Sequence, residues 1–322
     1  MRLFANAKYD FLGMRKKAYI ITAVVMIPGL IIAGIIGFNY SIEFTGGTLV
    51  QVIAERPVDI GALRNQLASQ GVEGAEIQTF GSDNEVAIRA RTAKEGSDAD
   101  DTQATGDAVR QAVTAVVGAD NFRIGKTYAV GPKVGGELRM QALMAILLSF
   151  GAVLAYLAYR FEWRFGLAAI VATAHDILAT IAFMSLLRLE VSLFVVAAIL
   201  SVVGYSLNDT IVIFDRIRDN LHKSKRSNFV EILNRSINET LPRTVLTGGT
   251  SFGTLIALAA LGGDVIRPFA LVMLFGVVVG TFSSIFIASP VLYAIEQRWP
   301  GADVRGVKST APAKRKPQPA NS

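Results

Sequence analysis

The sequence contains no cysteine and only two histidines, His175 and His222, among its 322 residues. The lack of cysteine excludes disulfides, thiolate metal sites and cysteine nucleophiles, and two histidines exclude a histidine-rich metal site. No motif supplies the nucleophile, base and oxyanion donor that an enzyme needs. We therefore expect no cofactor, no metal and no enzymatic activity.

Long apolar blocks fill much of the chain instead. Hydrophobic residues make up 52% of it, charged residues make up 18%, and the mean hydropathy is +0.43. A transmembrane helix needs about 20 mostly apolar residues. Six stretches qualify: residues 19–38, 142–159, 165–187, 191–214, 244–261 and 268–295. The sequence predicts a polytopic α-helical membrane protein with six transmembrane helices.

Positive charges indicate how these helices are oriented. Lysine and arginine are concentrated in the N-terminal segment, after the second and fourth spans, and in the C-terminal tail, whereas the opposite hairpins hold only Arg188 and Arg267. Because positive residues stay on the cytoplasmic side, both termini are predicted to be cytoplasmic. Topology and contacts with lipid headgroups account for the net charge of +6, so we expect no binding of nucleic acid.

The region between the first two spans has a different pattern. Strands are predicted over residues 48–54, 75–80, 85–91 and 122–130, with amphipathic helices over 58–69 and 103–117. The order β-α-β-β-α-β indicates a ferredoxin-like α+β domain. Within it, residues 92–105 have the composition of a mobile loop. The pair Gly46–Gly47 predicts a bulge or tight bend entering the first strand, and Gly135–Gly136 predicts a turn before the second span.

The chain is thus predicted to have five parts. They are a cytoplasmic N-terminal segment (1–18), transmembrane helix 1 (19–38), a periplasmic α+β domain (39–138), a five-helix transmembrane domain (139–295), and a basic, disordered cytoplasmic tail (296–322).

The fourth span carries a carboxylate, Asp209, inside its apolar run. A charge in hydrocarbon costs several kcal/mol, so Asp209 needs a partner, a water path or a proton. Helical periodicity places small and polar residues on the same arc, which should therefore meet protein: Ser201, Gly204, Tyr205, Asn208 and Val212. A second carboxylate, Asp176, lies in the third span. For it a structural role, hydrogen-bonded inside the bundle, stays open beside a role in proton coupling.

The fifth span offers a cationic partner for Asp209. Arg243 follows Pro242, which suits the first turn of a helix. A stripe of hydroxyls continues inward on one helical face, comprising Thr247, Thr250, Ser251 and Thr254. We interpret the stripe as the lining of a hydrated proton path between Arg243 and Asp209. The alternatives are packing through hydroxyls and an interfacial Arg243 whose side chain extends to the membrane surface.

Three further patterns carry structural predictions. Gly276, Gly280 and Ser284 recur every four residues and favour close helix packing. Residues 228–240 have the pattern of an amphipathic surface helix. Asp215, Arg216 and Arg218, at the end of the fourth span, are expected to be solvated boundary charges.

Several segments together resemble the SecD/SecF family of bacterial protein-export membrane proteins, and within it the SecF branch, which is related to resistance-nodulation-division transporters. They are IEFTGGT at 42–48, VGPKVGGEL at 130–138, AHDIL at 174–178, GYSLNDTIVIFDRIRDN at 204–220 and TLPRTVLTGGT at 240–250. The fourth-span segment is the most specific of these. One departure is Glu43, where the family commonly has aspartate, and the charge is retained.

The resemblance implies a subunit that pairs with SecD in the bacterial inner membrane. With SecD, and with YajC as a further partner, it would use the proton-motive force to draw unfolded preproteins through the SecYEG channel, in contact with membrane lipids. Asp209 matches the family's intramembrane aspartate, with Asn208 beside it, and Arg243 matches the arginine that cooperates with it. The alternatives are a proton-coupled exporter subunit for small molecules or lipids and a passive membrane scaffold.

The residues themselves also predict a partner. A six-helix unit with a large domain after its first span is half of the two-repeat architecture that many transporters use. We therefore expect a complementary half.

Overall fold

A computed structural model describes residue 4 and residues 7–72, 75–80, 82–90, 99–223 and 228–300. In these ranges six helical segments are long and apolar enough to cross a membrane, which confirms the predicted six-span architecture. The first five are α1 (Arg15–Ile35), α5 (Pro132–Arg160), α6 (Trp163–Leu186), α7 (Leu193–Lys223) and α8 (Phe229–Leu261). The sixth consists of α9 (Gly263–Ser283), a π-helical turn (Ser284–Ala288) and α10 (Ser289–Arg298).

The α+β domain lies between α1 and α5. Its elements are β2 (Gly47–Ala54), α3 (Ile60–Ser69), β3 (Glu76–Phe80), β4 (Ser82–Ala90), α4 (Ala99–Val117) and β5 (Phe122–Val130). The described strands form one antiparallel sheet in the order β3-β4-β2-β5. Alternate residues of β2 and β4, such as Val50 and Ile88, are buried with Leu67 of α3 and Val113 of α4. The predicted β-α-β-β-α-β order is confirmed.

Two predictions in this region are wrong in part. Residues 99–105 belong to α4 and not to a loop, because its apolar face, with Val109 and Val113, packs on the sheet and the helix extends N-terminally from it. Residues 92–98 of the predicted loop, and residue 91 at the end of a predicted strand, lie outside the described residues. Gly135 and Gly136 lie inside α5 and form no turn, since Pro132 already starts that helix.

Two short strands and a one-turn helix join the domain to the membrane helices. β1 (Asn39–Tyr40) pairs in parallel with β6 (Glu190–Val191), which lies between α6 and α7. α2 (Ile42–Thr45) follows β1 and is capped by Gly46, whose φ of 73° favours glycine. The predicted tight bend at Gly46–Gly47 is confirmed.

α8 is one continuous helix of 33 residues, which corrects two predictions. Residues 229–240 are not a separate surface helix, because their apolar face, with Ile232 and Ile237, is buried in the same core as Ile217 of α7. Pro242 and Arg243 lie in the helix interior and not in its first turn. The helix begins instead at Asn228, which forms a capping box with Glu231.

The sixth span packs closely on α7. A Cβ atom at Gly276 would overlap the Val202 side chain, and one at Gly280 would lie 2.9 Å from Ser206 Cβ. The predicted role of these glycines in helix packing is confirmed. Pro290 follows the π-helical turn, and because it has no N–H to donate, the regular helical ladder is interrupted there.

Candidate functional site

α7 places Asp209 in the interior of the helix bundle, where the residue is 2% exposed. Tyr205 lies one helical turn before it, on the same side of α7. Thr281 of α9 faces both residues, and Ser251 of α8 faces Tyr205. We call Tyr205, Asp209, Ser251 and Thr281 the Asp209 cluster.

The Asp209 cluster contains polar atoms that the protein leaves without partners. Asp209 Oδ2, Tyr205 Oη and Thr281 Oγ1 are buried, and none of them makes a hydrogen bond of normal length and angle within the described part of the chain. A Cβ atom at Gly248 would lie 3.4 Å from Thr281 Oγ1 and 3.7 Å from Tyr205 Oη, so this glycine leaves room beside them. Buried polar atoms of this kind require water or a proton. The cluster is therefore suited to bind and release a proton.

Arg243 of α8 is the cation whose charge acts on Asp209. Its residue is exposed on the surface of this single chain, and the neighbouring Thr244 is buried with an unpartnered Oγ1. Because a guanidinium stays protonated, Arg243 acts on Asp209 as a permanent charge. The structure therefore brings the two predicted partners within electrostatic reach of each other.

A network of polar side chains bonds the turn of α8 that precedes Arg243 to α7. Glu239 accepts from Arg216 at 2.6 Å and from Asn220 at 2.8 Å, both on α7, and from Arg235 at 2.9 Å. Asp215 accepts from Arg160 of α5 at 2.8 Å. The boundary charges Asp215 and Arg216 are thus ordered ion pairs and not merely solvated groups, because α7 lies beside both α5 and α8 here.

The hydroxyl stripe of α8 divides into two kinds of residue. Thr250 is exposed, and its hydroxyl donates to the Leu246 carbonyl of its own helix at 3.0 Å. Thr247 and Ser251 are half-buried, and of these Ser251 lies against Tyr205. Because the Thr250 hydroxyl bonds to its own helix, Thr250 fits the alternative in which the hydroxyls serve packing. Ser251 instead belongs to the Asp209 cluster. The hydrated path stays a prediction.

Asp176 of α6 is fully buried and differs from Asp209 in its surroundings. Its Oδ1 lies 2.8 Å from His175 Nδ1, and its Oδ2 accepts from Ser283 Oγ of α9 at 2.7 Å and from Ser206 Oγ of α7. These donors come from three helices, and Ser206 lies one turn before Asp209. The contacts favour the structural role for Asp176.

The predicted polar arc of α7 is split between two environments. Asp209 is buried, whereas Ser201, Gly204 and Asn208 are exposed on the single chain. Asn208 points elsewhere than Asp209 because adjacent helical residues are rotated by about 100°. Small and polar residues of α8 are exposed as well, namely Gly249, Thr250 and Gly253. This chain leaves that polar face uncovered, so the expectation that the whole arc meets protein stays a prediction that a partner would have to fulfil.

The sequence interpretation missed Ser206, Ser283 and Thr281. Each is a hydroxyl residue inside an apolar span, and two of them stand in the segment GTFSS directly after Gly280. A signal was therefore present, since hydroxyls next to a close-packing glycine face the neighbouring helix.

Comparison with known proteins agrees with this architecture. The family description "Protein export membrane protein SecD/SecF, C-terminal" matches residues 109–298, and "SecD/SecF GG Motif" matches residues 31–58. The protein translocase subunit SecF of Gemmatimonas aurantiaca is 50% identical over 94% of this chain and 92% of its own length. The protein of the same name from Desulfurispirillum indicum is 42% identical over 88% of this chain and 90% of its own length.

The fold is also similar to solved structures. The crystal structure of SecDF from Thermus thermophilus, described as a translocon-associated membrane protein, matches 91% of this chain with a TM-score of 0.80 and 36% identity. A SecDF structure in a super-membrane-facing form matches the same share with a TM-score of 0.64. This chain spans 39% of the length of each SecDF chain. Sequence identity, family match and fold agree, and the chain belongs to the SecF family of protein translocase subunits.

Proposed function

We propose that this chain is a non-enzymatic translocase subunit that, together with SecD, couples the proton-motive force to the export of preproteins through the SecYEG channel. The observation that carries the proposal is the Asp209 cluster. A buried carboxylate with an unpartnered oxygen lies among hydroxyl groups and within reach of the charge of Arg243. Such a group is retained in a membrane helix where it binds an ion or a proton.

Asp209 changes its protonation state as Arg243 approaches and withdraws. A nearby guanidinium favours the ionised carboxylate, whereas an apolar surrounding without that cation favours the neutral, protonated one. The hydroxyls of Tyr205, Ser251 and Thr281 serve both states because a hydroxyl donates and accepts hydrogen bonds. A cycle that moves α8 relative to α7 would therefore load and release one proton at Asp209.

SecD is the partner that would cover the uncovered polar face of α7 and α8. Polar groups such as Asn208 and Thr250 are costly against lipid and favour contact with another helix. This chain supplies one six-helix unit, and the similar SecDF chains are more than twice as long. YajC, membrane lipids and the unfolded preprotein are further partners in this proposal.

The chain is placed in the bacterial inner membrane with both termini in the cytoplasm. Lysine and arginine near the spans support this orientation, which puts the α+β domain in the periplasm. A reporter that works only in the periplasm should be active when it is fused after Ser97, and a reporter that works only in the cytoplasm should be inactive there. Cytoplasmic activity of that fusion would contradict the orientation.

Substitution of Asp209 by asparagine tests the coupling. Asp209→Asn keeps the size and the hydrogen-bonding capacity of the side chain but removes its titration, so assembly should be normal while stimulation of export by the proton gradient is lost. Asp219→Asn, at a carboxylate of the same helix that is 39% exposed in its ion pairs with Arg216 and Lys223, is the matched control. Export with and without a gradient is measured at equal protein level. Full stimulation in Asp209→Asn would overturn the proposal.

Purification in mild detergent tests the partners. Recovery of SecD and the SecYEG channel is the expected result. Recovery of an outer-membrane duct would instead support the exporter alternative.

A further inference from the structure

The N-terminus of α7 is hydrogen-bonded to the side chain of Glu43 on α2. The first N–H groups of a helix have no acceptor within the helix and carry partial positive charge. In α7, Leu193 N donates to Glu43 Oε2 at 2.7 Å, and Val195 N donates to Ser192 Oγ at 3.3 Å. The Glu43 carboxylate thus makes a charge-assisted hydrogen bond to the start of the helix that carries Asp209.

Glu43 is connected directly to the sheet. It lies on α2, and β2 begins two residues after α2 ends at Thr45. β2 is a central strand, paired with both β4 and β5. On its other side α2 packs on α5, where a Cβ atom at Gly135 would lie 2.9 Å from Gly46 N. α2 is therefore packed on α5 and hydrogen-bonded through Glu43 to the first residue of α7.

Further contacts connect the segment between α6 and α7, residues 187–192, to the domain. Tyr40 is the parallel strand partner of Val191, and Ser41 N donates to the Val191 carbonyl at 2.9 Å. Arg89 of β4, which is 8% exposed, forms ion pairs with Glu190 of β6 at 2.6 Å and with Glu76 of β3 at 2.9 Å. Together with the bond from Glu43, these contacts connect the domain to residues 190–193.

We propose that Glu43 is a positioning residue that makes the α+β domain follow α7. The inference rests on the proposed function. α7 runs without interruption from Leu193 to Lys223, so a displacement that accompanies proton binding at Asp209 also moves Leu193. The bond from Glu43 passes that displacement through α2 into β2. The domain thereby changes its position in step with the protonation of Asp209.

The absence of cysteine in this chain allows a rescue experiment. Glu43→Ala removes the charged hydrogen bond and should lower the gradient-stimulated part of export roughly tenfold. A disulfide between Tyr40→Cys and Val191→Cys, which are cross-strand partners, would replace the lost connection covalently. Glu43→Ala in this double-cysteine background should regain gradient-stimulated export when oxidised and lose it again on reduction. Glu55→Ala, at an exposed carboxylate directly after β2, is the matched control and should export normally.

Export is measured with and without a proton gradient in membranes that contain the full translocase at matched subunit level. Normal gradient stimulation in Glu43→Ala, or a defect that the disulfide does not repair, would overturn the inference. If Glu43→Ala does not accumulate, Glu43→Leu, which keeps the bulk of the side chain but has no oxygen to accept from Leu193 N, is tested in the same way. Asp209→Asn is included throughout. Normal stimulation in that variant would refute the proposed coupling itself, whereas its loss together with normal Glu43 variants would refute only the role of Glu43.

Discussion

Asp176 and Asp209 are both aspartates in membrane helices and both are buried, at 0% and 2% exposure. They differ in their hydrogen bonds. Groups from α6, α7 and α9 engage both oxygens of Asp176, whereas Asp209 Oδ2 has no partner among the described residues. Burial alone therefore does not separate a structural carboxylate from a functional one. We propose that the number of donors supplied by the protein distinguishes them.

Helix packing explains the difference. Gly276 and Gly280 allow α9 to approach α7 closely, so that Ser206 and Ser283 both reach Asp176. One turn further along α7, Gly248 of α8 leaves space between Tyr205 and Thr281 beside Asp209. Close packing of α9 on α7 therefore supplies donors to Asp176, whereas the lack of a side chain at Gly248 leaves room near Asp209.

The largest expected effect comes from removing the cation near Asp209. Arg243→Met should abolish gradient-stimulated export as fully as Asp209→Asn, and the double mutant should be no worse than either single one, because both changes stop the same cycle. Arg243→Lys should restore part of the activity, since it keeps the charge without the planar donor group. The measurement is export at matched protein level, with and without a gradient.

Arg235→Met is the control for Arg243. Arg235 lies two turns earlier on α8, and its side chain is 59% exposed in the ion pair with Glu239. Glu239 keeps Arg216 and Asn220 as donors, so the loss of Arg235 should cost little. Full activity of Arg243→Met would remove Arg243 from the coupling.

The next effect separates the two carboxylates directly. Asp176→Ala leaves Ser206, Ser283 and His175 without their shared acceptor and should lower the free energy of unfolding by roughly 3 kcal/mol. Asp176→Asn keeps an acceptor and should retain gradient-stimulated export, unlike Asp209→Asn. Thermal unfolding in detergent and export are measured on the same preparations. A stable Asp176→Asn protein that has lost stimulation would assign a proton-coupling role to Asp176 as well.

A smaller effect is expected at the glycine that sets the helix spacing. Gly276→Ala would force α9 away from Val202 of α7 and should cost about 1–3 kcal/mol of unfolding free energy. Val202→Ala in the same chain removes the overlapping methyl groups and should recover most of this loss. If the double variant is as unstable as Gly276→Ala, close packing at this position does not hold the donors of Asp176 in place.

The sequence predicted the membrane spans and the order of helices and strands, but not the hydrogen bonds between residues that are distant in sequence. The six spans and the β-α-β-β-α-β order follow from hydrophobic length and alternation, which are local properties. The start of α8 was misplaced because Pro242 indicated a helix beginning, whereas the buried face of residues 229–240 extends the helix through it. Asp209 and Arg243 could be identified from their charge in apolar surroundings. The donors of Asp176 and the bond from Glu43 to Leu193 join residues distant in sequence and needed the structure.

The smallest predicted effects divide the hydroxyl stripe of α8, which the sequence presents as uniform. Thr250 donates to its own helix and is exposed, so Thr250→Val should change gradient-stimulated export less than twofold. Ser251 lies against Tyr205 in the Asp209 cluster, so Ser251→Ala should lower it about two- to threefold by removing one hydrogen-bonding group from the proton site. Initial export rates at matched protein level resolve a difference of this size. Equal rates in the two variants would show that the stripe acts as a packing surface and that Asp209 exchanges its proton without help from α8 hydroxyls.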